Sequence, residues 1–428
     1  MLNDSTLHPD LEKFRKRLEP TIIATGASIF TIRGLSLANC HFILGEGGVI
    51  VVDSGSSLEE GKHLRKLIRT ISDQPVRAVL LTHSHYSGGL RGLLEREIQE
   101  GSEVAIVGHP RIPLNLSRGR ELARAVWSYR VNLENGSQLP REGIGAVHAP
   151  ARSWRDGWAF CDLTHTPFPG ENLKLAGLKI RIEKGFFDTD DGLAYRFVEL
   201  DAVAHNLVTD QFPNFGSLGG GRYRDPLPWL EAVEALQADP PAIFLPCHGE
   251  TMTGRDRIRV KLGKNSEAVR FLYEETLRRL ARGESALDCR ASVGLPDRLK
   301  NDPELRCLYG EVEHAVLAFA YGETGFWSGE IRELLPLPPD DEAHCLEQLC
   351  GDKRKLIFLA EDYLAQGQLG AALHFADAAV RRRCEGAVEL RGKILRAGAG
   401  QTTAWTLRNT LLTLSQKDPS PTEKASEE

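Results

Sequence analysis

No Cys-x-x-Cys pair occurs in this chain of 428 residues, although eight cysteines are spread along it at 40, 161, 247, 289, 307, 345, 350 and 384. A zinc knuckle built on paired thiols is therefore excluded. The scatter reads as buried thiols in a reducing compartment rather than as a disulfide frame. The opening stretch MLNDSTLHPDLEKFRKRLEP contains no apolar core of about 7–15 residues, so neither a signal peptide nor a transmembrane start is expected, and the expected location is cytoplasmic. Basic blocks are missing too, and with a net charge of -6 the chain is not expected to bind nucleic acid. What is present, 41% hydrophobic and 26% charged residues, suits a soluble protein of two or three domains with full cores.

From Thr21 to about Ile106 short β-branched runs are broken by Gly and Asp: TIIATGASIFTIRG, NCHFILGEGGVIVVDSGSS, VRAVLLTHSH and EVAIVGHP. EEGKHLRKLIRTI has helical spacing, and the order reads β-β-β-α-β-α-β. A second block repeats the theme with LKIRIEKG, AYRFVELDAVA and AIFLPCHGE as strands and DPLPWLEAVEALQA as a helix between the last two. Two such halves fit an α/β sandwich of sheets covered by helices. After Gly254 strand signals stop and helical patterns take over, beginning with RDRIRVKLGKNSEAVRFLYEETLRRLARG. Residues 353–380 read as a helix pair resembling one tetratricopeptide unit, and the tail SQKDPSPTEKASEE reads as disordered. The expected domains are a lead-in over 1–20, the sandwich over 21–260, a helical region over 261–415 and a tail over 416–428.

The stretch Leu81 to Gly89, LTHSHYSGG, closes an apolar strand and sets His83 and His85 one residue apart. A metal needs three or four converging donors, and two histidines on a tight loop supply two of them. Asp188, Asp190 and Asp191 form an acidic cluster, of which at least two are expected at a solvated hairpin tip. Cys247 is expected to be a buried bystander, and Trp127, Tyr129, Phe326 and Trp327 are expected to pack.

The loop resembles the metal-binding loop of the metallo-β-lactamase superfamily, which usually reads T-H-x-H-x-D-H-x-G-G. Here two residues are missing after Tyr86, and they are the Asp and second His that the family uses as ligands. VVDSG with Asp53 and LPCHGETMTGRDR with His248 extend the likeness. Within the superfamily the chain most resembles the linear alkylsulfatases, through IFTIRGLSLANCHFILGEGGVIVVD, NLSRGRELARAVWSYR, GGRYRDPLPW and the dimerisation-like LYGEVEHAVLAFAYGETGFWSGEIRELLPLPP. The resemblance implies an αββα metallo-β-lactamase sandwich followed by an all-helical region and a homodimer, while the lipid-carrier-like domain that usually follows in the family is not expected here.

Carried over residue by residue, the resemblance makes His83, His85 and His248 metal ligands. The family's first-site glutamate falls near Gly192, where Asp188, Asp190 or Asp191 is the substitute, with Asp191 taken as the ligand. The bridging carboxylate falls on the uncharged Asn206. Asn206, Asn214 and Arg222 are the substrate contacts, with Arg224 close by. A dinuclear zinc site carries +4 and needs several carboxylates, so at most one zinc or other divalent ion per chain is expected, on His83, His85 and Asp191 with His205 or His248 as a further donor. The implied function is a metal-dependent hydrolase of a sulfate ester or another ester with an apolar tail. Two alternatives stay open: a catalytically silent dimeric scaffold that binds a ligand or partner and needs no metal, and an iron-dependent enzyme of changed chemistry.

Overall fold

A computed structural model describes residues 8–15, 19–117, 122–140, 158–208 and 211–416. The tail expected to be disordered lies, from 417 on, outside the described residues. The first sheet is built from β1 (Thr21–Thr25), β2 (Ile29–Arg33), β3 (Cys40–Gly45), β4 (Gly48–Val52), β5 (Val76–Leu80) and β6 (Ala105–Val107), in that spatial order. After the short helix Pro9–Arg15, four strands, not three, precede the next helix. The turn at Gly26, with φ of 75°, folds TIIATGASIFTIRG into two. Strands β1 to β4 run antiparallel through tight turns, and the helix Leu58–Arg69 then makes the crossover that lets β5 lie parallel to β4. That helix starts where Ser57 accepts a hydrogen bond from the Glu60 amide.

The second sheet contains β7 (Asn172–Leu175), β8 (Leu178–Lys184), β9 (Leu193–Phe197), β10 (Ala202–Val208), β11 (Ile243–His248) and β12 (Met252–Thr253) in the order β12-β11-β10-β9-β8-β7. AYRFVELDAVA is two strands, reversing where Asp201 takes a φ of 48°. Helix Pro226–Ala238, capped by Asp225, is the crossover that makes β10 and β11 parallel.

Apolar residues on the facing sides of both sheets form one core, with Ile43, Ile50, Val52 and Leu80 meeting Ile182, Tyr195, Phe197 and Leu245. The outer face of the first sheet is covered by Leu64, Ile68, Leu90 and Leu93, and that of the second by Trp229, Val233, Ile258 and Leu262. The architecture is the expected αββα sandwich followed by helices.

The described residues fall into two compact units, one drawn from Lys13–Val131 and Ala149–Gly329, the other from Met1–Glu12, Asn132–His148 and Glu330–Glu428. The change of texture near 260 is therefore not the edge of a compact unit. Helices Arg255–Leu280 and Val312–Thr324 belong with the sandwich because Leu262, Val269, Leu272, Val316 and Phe319 share the core of Phe215 and Trp229. In the other unit, Arg354–Ala365 and Leu369–Arg381 form the expected helix pair, packed through Ala360, Ala372 and Ala376. Trp127, Tyr129, Phe326 and Trp327 are exposed rather than packed. Among the described residues, no helix is long and apolar enough to cross a membrane.

The turn after β5 is pressed against the turn after β4. The Gly89 amide donates to the Gly55 carbonyl, and a β-carbon on Gly89 would collide with the Ser54 carbonyl oxygen. Gly89→Ala should therefore destabilise the sandwich by about 3 kcal/mol, read as a lower urea midpoint, whereas Gly294→Ala, a change with open space around it and no positive φ, should cost far less.

Candidate metal centre

Strand β5 ends at Leu80, and the chain continues through an extended His83 into a single 3-10 turn, Ser84–Tyr86. Asp53, at the end of β4, is buried and takes a φ of 61°, a left-handed conformation that an aspartate adopts more readily than most residues. Its carboxylate accepts the Thr82 amide and the Thr82 hydroxyl, both at 2.8 Å. Burial nevertheless pushes the Asp53 carboxyl up to about 7, against those two hydrogen bonds. With Asp53 ionised the Thr82 hydrogen is committed to it, so the contact of 2.9 Å between Thr82 Oγ1 and His83 Nδ1 has the imidazole N–H as donor. His83 Nε2 is then left as a bare lone pair, fully buried and without a hydrogen-bond partner.

That nitrogen faces Asp188. Asp188 Oδ2 lies 3.5 Å from His83 Nε2 and 3.0 Å from His85 Nδ1. His83, His85 and Asp188 are the one group among the described residues whose donor atoms converge closely enough to hold an ion. His85 is about one-third exposed, so the group opens to solvent on that side. Burial lowers the basicity of His83 despite Asp188, which keeps the ring neutral and its lone pair available. Burial works against ionisation of Asp188, but Arg224, with His85, outweighs it and holds the carboxyl well below the usual range. A neutral buried imidazole aimed at a carboxylate oxygen fits a cation, because two acceptors would otherwise face each other.

The carboxylate in the group is thus Asp188, not the expected Asp191. Asp191 is buried 2 residues past Thr189, whose hydroxyl it accepts, and also takes Asn115 Nδ2 at 2.9 Å and the Ser84 amide at 3.4 Å. It ties the 188–192 turn to the histidine loop, as does the Leu193 amide donating to the Thr82 carbonyl at 2.9 Å. The turn is no solvated tip, because Asp188 and Asp191 are both largely enclosed.

His248 stands apart from the group. Its Nδ1 donates to the Leu37 carbonyl at 3.2 Å, so its Nε2 accepts from the Tyr86 hydroxyl at 3.3 Å, and burial pushes it down to about 4. Tyr86 stacks edge-on to both His83 and His248 and so separates them. His205 lies flat on Phe244 and accepts the Leu207 amide. Asn206 sits where the β10–β11 register slips, buried with neither side-chain atom hydrogen-bonded. Asn214 is buried with its Oδ1 unpaired. Arg222 is on the surface, bound to Asp190 at 2.7 Å, while Arg224 grips Asp188 twice, through its carbonyl at 2.8 Å and its carboxylate at 2.9 Å. Cys247 is fully buried and burial raises its thiol well above the usual value, as expected of a bystander.

Residues 33–98 match the metallo-beta-lactamase superfamily and residues 286–418 match the alkyl sulfatase dimerisation family. The chain carries a metallo-beta-lactamase domain and an alkyl sulfatase dimerisation domain. A linear primary-alkylsulfatase of a Pseudomonas strain is 26% identical over 78% of this chain and 65% of its own length. An alkyl/aryl-sulfatase of Saccharomyces cerevisiae is 24% identical over 73% of this chain and 50% of its own. The chain thus spans about half to two-thirds of the curated relatives it matches. The solved structure of the stereoselective inverting sec-alkylsulfatase Pisa1 from Pseudomonas sp. superposes with a TM-score of 0.88 at 19% identity, covering 97% of this chain and 69% of that one.

Within the metallo-beta-lactamase domain, three features escaped the sequence: the choice of Asp188 over Asp191, the grip of Arg224, and the intrusion of Tyr86. The acidic cluster and the GRYRDP loop were visible, but which acid turns inward depends on the fold of a five-residue turn. Thr82→Val should leave Asp53 with only the amide of residue 82 and His83 Nδ1 without its acceptor, destabilising the domain by about 1–3 kcal/mol. The same change should weaken cobalt(II) binding about 10–100-fold in a spectroscopic titration, and Thr82→Ser, which keeps the hydroxyl, should restore stability and binding.

Proposed function

We propose that this chain is an alkylsulfatase-like hydrolase with one cation site at His83, His85 and Asp188, acting on a sulfate ester or another ester with an apolar tail. The observation that carries the reading is the buried, tautomer-fixed Nε2 of His83 converging with His85 and Asp188. Alkylsulfatase relatives at moderate identity support the hydrolase class. A divalent cation, zinc or another, supplies a Lewis acid for the ester oxygen and acidifies a bound water. Asp53 and Thr82 hold the His83 proton on Nδ1, and Arg224 orients Asp188. Asn206 offers a buried amide with neither atom hydrogen-bonded, whose Nδ2 can donate to a substrate oxygen, whereas the unpaired Oδ1 of Asn214 can only accept. Arg222, already paired with Asp190, acts as an outer guide for an anion rather than a direct contact.

The helices that match the dimerisation family make a homodimer the proposed assembly. All eight cysteines are free thiols, which suits the cytoplasm. A second reading, a silent binding scaffold, is favoured by one observation: Asn206 brings no charge to the place where the family's bridging carboxylate is expected.

Elemental analysis of protein purified without a histidine tag should find about one divalent cation per chain. It should be lost in His83→Ala/His85→Ala and in Asp188→Asn but kept in Asp191→Asn. The same losses should abolish sulfate release from dodecyl sulfate. Wild-type protein that takes up no cation under any metal supplement would favour the scaffold.

A further inference from the structure

The loop that carries Arg224 enters through Gly219, Gly220 and Gly221, the last two with φ of 88° and 133°. Such a run leaves the backbone loosely specified, so the place of Arg224 is set by the residues that follow. Arg222 reaches the carboxylate of Asp190, and Asp225 caps the helix Pro226–Ala238 by accepting the Leu227 amide at 2.9 Å. Tyr223 lies between them and docks on a different element. Its ring lies so close to Gly322, in the helix Val312–Thr324, that a β-carbon there would fall 2.2 Å from two ring atoms. Its hydroxyl donates to Glu323 Oε1 at 3.3 Å, and the same oxygen accepts the Tyr273 hydroxyl at 3.0 Å.

That helix is a firm support. Phe319, buried one turn before Gly322, meets Phe215 at 5.0 Å and Tyr273 at 5.7 Å between ring centroids. Tyr273 belongs to the helix Arg255–Leu280, so Glu323 is steadied by a second helix when Tyr223 reaches it. On the other side of the same peptide unit, Arg224 donates to the Asp188 carbonyl at 2.8 Å and to Asp188 Oδ1 at 2.9 Å. The backbone shared by Tyr223 and Arg224 is thus pinned by Gly322 on one side and by Asp188 on the other.

We propose that Tyr223 is a positioning residue for the cation centre: docked on Gly322 and Glu323, it holds the backbone from which Arg224 orients Asp188. The inference rests on the cation site proposed above and adds the support on which its carboxylate depends. Tyr223 acts through Arg224 and not on the ion. The helix Val312–Thr324 falls within the residues that match the dimerisation family, and this contact is its link to the centre.

Gly322→Ala tests this without altering the loop or any charge. Alanine is favoured over glycine inside a helix, so the variant keeps the helix while its methyl expels the Tyr223 ring. Cobalt(II) titrated into the metal-free full chain, followed by calorimetry and by cobalt absorption, should bind Gly322→Ala about three- to tenfold more weakly than wild type, a loss on the scale of one hydrogen bond. In an Arg224→Gln background, where no grip is left to orient, the same change should have no further effect on the cobalt Kd. Tyr223→Ala, which removes the ring instead of its space, should reproduce both results and stands in if Gly322→Ala fails to fold. A Gly322→Ala Kd equal to that of wild type would overturn the positioning role while leaving the cation site intact. So would an equal loss in the Arg224→Gln background, because Tyr223 would then act by another route. Absence of cobalt binding by wild type would overturn the cation site itself, and this inference with it.

Discussion

Asp188 is shared. One of its oxygens meets two imidazoles and the other is held by Arg224, and the rest of the centre is arranged around that division. A carboxylate with both oxygens engaged cannot swing, so the donor set is fixed before any ion arrives. Asp191, one turn on, keeps the same segment docked by holding the Ser84 amide. On the opposite side, Asp53 works through Thr82 to set the proton of His83. Three acids of one domain thus have three different tasks, one at the centre and two in its support.

The sandwich makes this possible by bringing strand ends together. β4 ends at Asp53, β5 leads to His83, and β9 starts just after the 188–192 turn, so contacts between residues more than 100 positions apart become local. The glycines at 88 and 89 are required because the histidine turn lies directly on the backbone of 54–57. The same loop sets Tyr86 against His248, whose imidazole the tyrosine hydroxyl satisfies.

Much of this was legible beforehand. Alternating and continuous apolar runs placed the strands, and the His83–His85 spacing after a strand named the loop. The likeness to alkylsulfatases matched the observed sandwich and the helices that follow. Less legible was anything decided by a few torsion angles. DTDDG offers three acids with the same chemistry, and only the folded turn sends Asp188 inward and Asp190 out to Arg111 and Arg222. RYRD offers two arginines two residues apart, and the one aimed at the centre is Arg224. The change to helices near 260 and the division into compact units are different properties. Texture records which secondary structure a segment adopts, whereas membership of a compact unit depends on where its apolar face is buried, and Leu262 and Val269 are buried against Trp229.

The central claim is a single cation on His83, His85 and Asp188. Crystals of the cobalt-loaded chain, measured on both sides of the cobalt absorption edge, test it most directly. The account predicts one anomalous peak per chain, bonded to one nitrogen each of His83 and His85 and to Asp188 Oδ2, with Arg224 still on Oδ1. A second peak beside Asn206 and His248, or a single peak bonded to Asp191 in place of Asp188, would contradict it.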